Sequence, residues 1–78
     1  RGGGLPHTTS ADEEKPTTRE REIIQLLAEG SSNKEVAEKL GISVKTVETH
    51  RAAIMRNLGL HSIGELVRYA IRNHMIEA

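Results

Sequence analysis

Lys45, Thr49, Ala52 and Arg56 recur at spacings that stack side chains on one face of a helix. At about 100° per residue they share a stripe with Glu48 beside it, while Val47, Arg51, Ile54 and Leu58 gather on the opposite side. The chemistry that such a stripe offers is recognition rather than bond-making. It has cations towards both ends and small side chains in the middle, and no nucleophile stands beside a base. The opposite side is what a helix buries, joined by the aliphatic stem of Arg51. A helix of this kind over residues 43–58 suits a large, flat-walled anionic partner, and the major groove of DNA admits one α-helix.

Each of these residues also has an ordinary reading. Lys45 and Arg56 are by default solvated charges. Their place opposite the apolar side, about three turns apart, favours phosphate or base contact. Thr49 and Ala52 serve as plain surface, but their smallness permits close approach and a methyl can touch a thymine methyl. Glu48 can accept from a cytosine N4 or pair within the helix with Lys45 or Arg51. His50 flanks the core side as a packed histidine, with a second nitrogen free to reach phosphate. Asn33 and Lys34 open the preceding helix, where unpaired N–H groups and the helix dipole attract an anion. Their plain alternative is a pair of helix-starting polar residues. Arg51 reads as a packing and salt-bridge residue rather than a base reader.

Four helices are expected to hold this stripe. Thr17 with Glu20 makes a capping box for a first helix that buries Ile23, Ile24, Leu26 and Leu27, and Gly30 is its left-handed stop. Ser32 with Glu35 opens a short second helix to Leu40, with Val36, Ala37 and Leu40 inward. Gly41-Ile42-Ser43 then supplies a helix exit, an apolar plug and a cap for the third helix. A short helix, a tight turn with Gly and a longer helix make the helix-turn-helix layout, and the small Ala37 lets the two cross closely. The third helix ends at Leu58 before Gly59. Ser62 with Glu65 forms a third box for a fourth helix reaching about His74. That last helix has more apolar surface than a small core needs. Leu66 and Ala70 face one way while Ile63, Val67, Ile71 and His74 lie along an adjacent stripe, so one stripe is core and part of the other is a candidate partner surface.

Composition bounds the rest. Seventy-eight residues make one small domain, and a hydrophobic content of 36% with Tyr69 as the single aromatic points to an aliphatic helix-on-helix core. The absence of Cys removes disulfides and thiolate metal sites and fits a reducing cytoplasm. No apolar run is long enough to span a membrane, and no signal peptide is visible. The chain begins at Arg1 rather than Met, so we expect a fragment or a processed chain. Formal net charge is zero, but five acidic against three basic residues over 11–22 give way to five basic against three acidic over 31–61. This modest asymmetry permits a DNA-facing surface. Residues 1–16, with three glycines, two prolines and an acidic cluster, read as a linker. Gly2–Gly4 lacks the strand and the Lys-Ser/Thr of a phosphate loop.

Thr17-Thr18-Arg19-Glu20-Arg21-Glu22-Ile23, Gly30-Ser31-Ser32-Asn33-Lys34-Glu35-Val36-Ala37, Ile42-Ser43-Val44-Lys45-Thr46-Val47-Glu48-Thr49-His50 and Leu58-Gly59-Leu60 together resemble the LuxR/NarL-type helix-turn-helix domain over about residues 17–76. The spelling Thr46-Val47-Glu48-Thr49-His50-Arg51 is most similar to FixJ-like members. The resemblance implies an all-α, four-helix DNA-binding output domain of a bacterial transcription regulator, following a receiver or sensor domain, with residues 1–16 as interdomain linker. It implies dimers on DNA, the third helix in the major groove and the fourth at the dimer contact through Ile63, Val67, Ile71 and His74. By position, Lys45, Glu48 and Thr49 match the base-facing segment, with Ala52 on the same stripe. Thr46, His50 and Arg56 match positions near phosphate, and Asn33 and Lys34 the start of the second helix. Pro16 stands where the family usually has Leu, and Glu48 where some relatives have Lys.

Two other functions compete with this reading. An enzyme finds no support, since His7, His50, His61 and His74 lack metal-ligand spacing and nothing calls for a cofactor. A helical protein–protein module using Val67 and Ile71 is the stronger alternative, with the neutral net charge in its favour. Single-strand or RNA binding lacks an aromatic platform.

Overall fold

Among the described residues every helix starts on a hydroxyl. The computed structural model describes residues 16–77, and within them Thr17, Ser32, Ser43 and Ser62 each accept a hydrogen bond from the backbone N–H three residues on. The helices they cap are α1 (Thr18–Ala28), α2 (Asn33–Leu40), α3 (Val44–Leu58) and α4 (Ile63–Arg72). No strand occurs among the described residues. The linker expected over 1–16 lies outside them except for Pro16.

The first two capping boxes close as the sequence predicts. Thr17 N–H donates to Glu20 Oε1 at 2.9 Å and Ser32 N–H to Glu35 Oε1 at 2.8 Å. The bond from Ser32, with Lys39 adding attraction, holds the Glu35 carboxyl below its ordinary value, so it is an acceptor at neutral pH. The third box differs. Ser62 Oγ accepts from Glu65 N–H, but Glu65 Oε1 takes the N–H of His61 at 2.8 Å, one residue before the cap. An extended Ser62 (φ −156) leaves the His61 N–H as the orphan donor within reach.

At their C-termini, α1, α2 and α3 turn on glycines with positive φ, whereas α4 turns on His74 (φ 62). The turns at Gly59 and His74 share one bonding pattern. Leu60 N–H reaches Met55 O and Met75 N–H reaches Ala70 O, both at 2.8 Å, closing the six-to-one bond of a Schellman motif. The fourth helix therefore stops at Arg72, and His74, expected on its face, lies beyond it. Asn73 Nδ2 bonds back to Tyr69 O at 2.9 Å at the cap. The turn returns Met75 and Ile76 to the core. A non-glycine residue in the left-handed region costs about 1 kcal/mol, so His74→Gly is expected to raise stability by up to about that amount in urea titration.

The core is aliphatic. Ile23, Ile24 and Leu27 of α1, Val36 and Ala37 of α2, Val47 and Ile54 of α3, and Leu66 and Ala70 of α4 are all buried. Helix α1 is the hub, packing on each of the other three, while α2 packs on α3 as the helix-turn-helix pair. Leu26, Leu40, Leu58 and Tyr69 are half-buried against this cluster.

Candidate nucleic-acid interface

Helix α3 has the two faces that its sequence predicts. Val47 and Ile54 are buried at 0% and 2% exposure, with Leu58 half-buried beside them. Lys45, Glu48, Thr49, Ala52 and Arg56 are all exposed, on the side turned away from that core. The stripe from Lys45 to Arg56 runs about 16 Å along the helix axis. Its central residues are short, so a partner can reach the helix backbone while the terminal cations grip its edges.

Thr46 and His50 are half-buried on the flanks between the two faces. The Thr46 hydroxyl lies 2.9 Å from Ser43 Oγ, which orients it over the first turn of α3. Glu48 forms no ion pair with Lys45 or Arg51. Among the described residues the single ion pair is Arg19–Glu22 at 3.3 Å. The intrahelical reading of Glu48 is therefore not the arrangement observed, and its carboxylate stands free on the exposed face.

At the start of α2, Lys34 is exposed and Asn33 half-buried. The cap takes up the N–H groups of Ser32 and Glu35, which leaves those of Asn33 and Lys34 without a protein acceptor among the described residues. Sequence reasoning missed what holds this corner. Arg51, expected to pair with a carboxylate, donates from Nη1 to Asn33 Oδ1 at 3.2 Å. Lys39 Nζ reaches Ser31 Oγ at 3.1 Å and ties α2 to the turn before it. Neither pair is visible from helical spacing.

Helix α4 separates its two stripes. Leu66 and Ala70 are fully buried, whereas Ile63 is 45% exposed. Val67 and Ile71 are half-buried, but neither is among the half-buried apolar side chains packed on the core. Ile71 and His74 line an open cleft with Met75, Ile76 and Glu77. Among the described residues no cluster of His, Asp or Glu could hold a metal ion, and no helix is long and apolar enough to cross a membrane.

Two comparisons with known proteins bear on this geometry. The model of a family described as bacterial regulatory proteins, luxR family, matches residues 16–70. The oxygen regulatory protein NreC of Staphylococcus aureus, in strains JH9, JH1 and USA300, is 56% identical over 59 residues. That alignment covers 76% of this chain but 27% of each relative, so the chain spans about a quarter of their length.

Proposed function

Since this chain belongs to the luxR family of bacterial regulatory proteins and is a DNA-binding output domain of that kind, we propose that it reads double-stranded DNA by setting α3 in the major groove. The observation that carries this reading is the exposed stripe Lys45, Glu48, Thr49, Ala52 and Arg56, directly opposite the buried Val47 and Ile54. Lys45, Glu48, Thr49 and Ala52 face base edges. Arg56, Thr46, His50, Lys34 and Asn33 grip phosphates on either side of the groove. Glu48, unpaired on this face, accepts from a cytosine N4 and rejects bases that offer only acceptors there. It is the residue that sets sequence preference.

The rest of the reading concerns the intact protein. Two copies bind together through Ile63, Val67 and Ile71 of α4, with His74 in the adjoining turn, and their half-sites lie about one helical turn apart. The relatives' greater length leaves room for an N-terminal receiver or sensor domain, and residues 1–16 are the linker to it. The domain over 17–76 then serves as the output end of a cytoplasmic two-component response regulator. It binds and performs no catalysis, a reading that the regulatory family supports.

Mobility shift across a salt series tests the assignment. Arg56→Ala is expected to weaken binding to all duplexes alike and to lower the salt slope by about 1, the signature of one lost phosphate contact. Lys45→Ala and Thr49→Ala are expected to change which sequences are preferred, by about 1–3 kcal/mol at the affected position. Unchanged preference in both would sink the base-reading assignment.

A further inference from the structure

Arg51 is a cation of the recognition helix that turns inward. Its Nη1 donates to Asn33 Oδ1 at 3.2 Å, across the turn that joins α2 to α3, in partly buried surroundings. Among the described residues it has no carboxylate partner. A guanidinium carries only donors, so the Asn33 atom that faces it must be the amide oxygen. That settles the orientation of a planar group. With Oδ1 held by Arg51, the Nδ2 donors are directed away from it, and no acceptor among the described residues takes them. The backbone N–H groups of Asn33 and Lys34, at the same helix start, are likewise unpaired among the described residues, and Lys34 is exposed.

We propose that Arg51 is a positioning residue for DNA contact, which orients the Asn33 amide so that Nδ2 donates to a backbone phosphate. The inference rests on the DNA-binding reading above and adds to it a residue that touches no nucleic acid. The same bond joins α2 to α3, so it also sets how the phosphate-gripping corner sits relative to the reading stripe. Arg51 thereby acts on affinity through Asn33, whereas Arg56 acts through its own charge.

The test is a double-mutant cycle on the 78-residue chain, titrated against a mixed-sequence duplex of about 20 base pairs, two helical turns, over a salt series. Asn33→Ala and Arg51→Met are each expected to weaken binding about tenfold, the scale of one hydrogen bond to a charged group. Arg51→Met added to Asn33→Ala should cost nothing further, because its route is already cut. The salt slope should stay near that of the unaltered chain, whereas a direct Arg51–phosphate contact would lower it by about 0.9. Additive losses, or that drop in slope, would overturn the proposal.

Asn33→Asp covers the case in which Arg51→Met does not fold. It keeps an acceptor for Arg51 and places an acid in the first turn of α2, so its thermal midpoint should match or exceed that of the unaltered chain. Its donor is gone, so binding should fall by about tenfold. Binding equal to that of the unaltered chain would again overturn the proposal. Failure of the unaltered chain to bind duplex DNA would instead remove the reading on which it rests.

Discussion

A chain carrying Val67→Asp and Ile71→Asp together is expected to keep its helical circular dichroism and to lose two-site DNA binding. The fold should survive because α4 anchors through its other stripe. Leu66 and Ala70 are fully buried, while Val67 and Ile71 are half-buried and stand apart from the side chains packed on the core. Across a two-fold contact the same helix face meets itself. The aspartates of one protomer would then lie against those of the other, charged and without partners, which costs several kcal/mol. Coupling two modules raises apparent affinity by about 10²–10⁴. Affinity for a duplex with two half-sites should therefore fall by about a hundredfold or more, while affinity for a single half-site stays the same. Duplexes enriched from a random pool provide both probes. Loss of the helical signal would mean that this stripe is core, and unchanged two-site affinity would remove α4 from the dimer contact.

Ile54→Ala is expected to act on the same DNA affinity by an unrelated route. Ile54 is 2% exposed and fixes the middle of α3 in the common core. Its truncation should cost about 2–5 kcal/mol from lost burial and the cavity left behind. A folded region of this size holds roughly 3–9 kcal/mol in total. The variant should therefore be unfolded in large part at 37 °C, with a urea midpoint well below that of the unaltered chain. Saturating duplex DNA should raise its thermal midpoint by mass action and recover much of the binding. Arg56→Ala, by contrast, should leave the thermal midpoint of the free chain unchanged, and saturating DNA should not restore its affinity. An Ile54→Ala protein that is as stable as the parent would show that α3 is held elsewhere.

These two expectations separate what α3 is from what it does. Val47 and Ile54 fasten it, and the stripe across from them is left exposed. Most of this was legible in the sequence. The four N-caps, the three glycine stops and the alternation of the two faces of α3 all involve residues a few positions apart, close enough for local chemistry to specify them. The apolar residues assigned inward on α1 and α2 are the ones that the core takes up, fully or in part. Ala37, 4% exposed, lies where the sequence calls for a small residue between crossing helices.

Local rules ran out where partners were distant or evenly matched. Glu65 had two orphan N–H groups within reach, and the extended backbone at Ser62 gave it to His61. Nothing before residue 74 forbids another turn of α4. It ends at Arg72 because Met75 and Ile76 gain burial by folding back, and His74 takes a left-handed conformation that glycine adopts more easily.

By itself, then, the sequence determined the helices, their boundaries to within about a turn, and the face of α3 left exposed, because caps and periodicity are short-range. Only the tertiary structure decided which stripe of α4 is core, since both are apolar and packing on α1 chooses Leu66 and Ala70. It likewise decided that Arg51 meets Asn33, eighteen residues away, rather than a carboxylate on its own helix. Contacts of that kind exist only once α2 and α3 have crossed, and the angle of that crossing comes from the core beneath them.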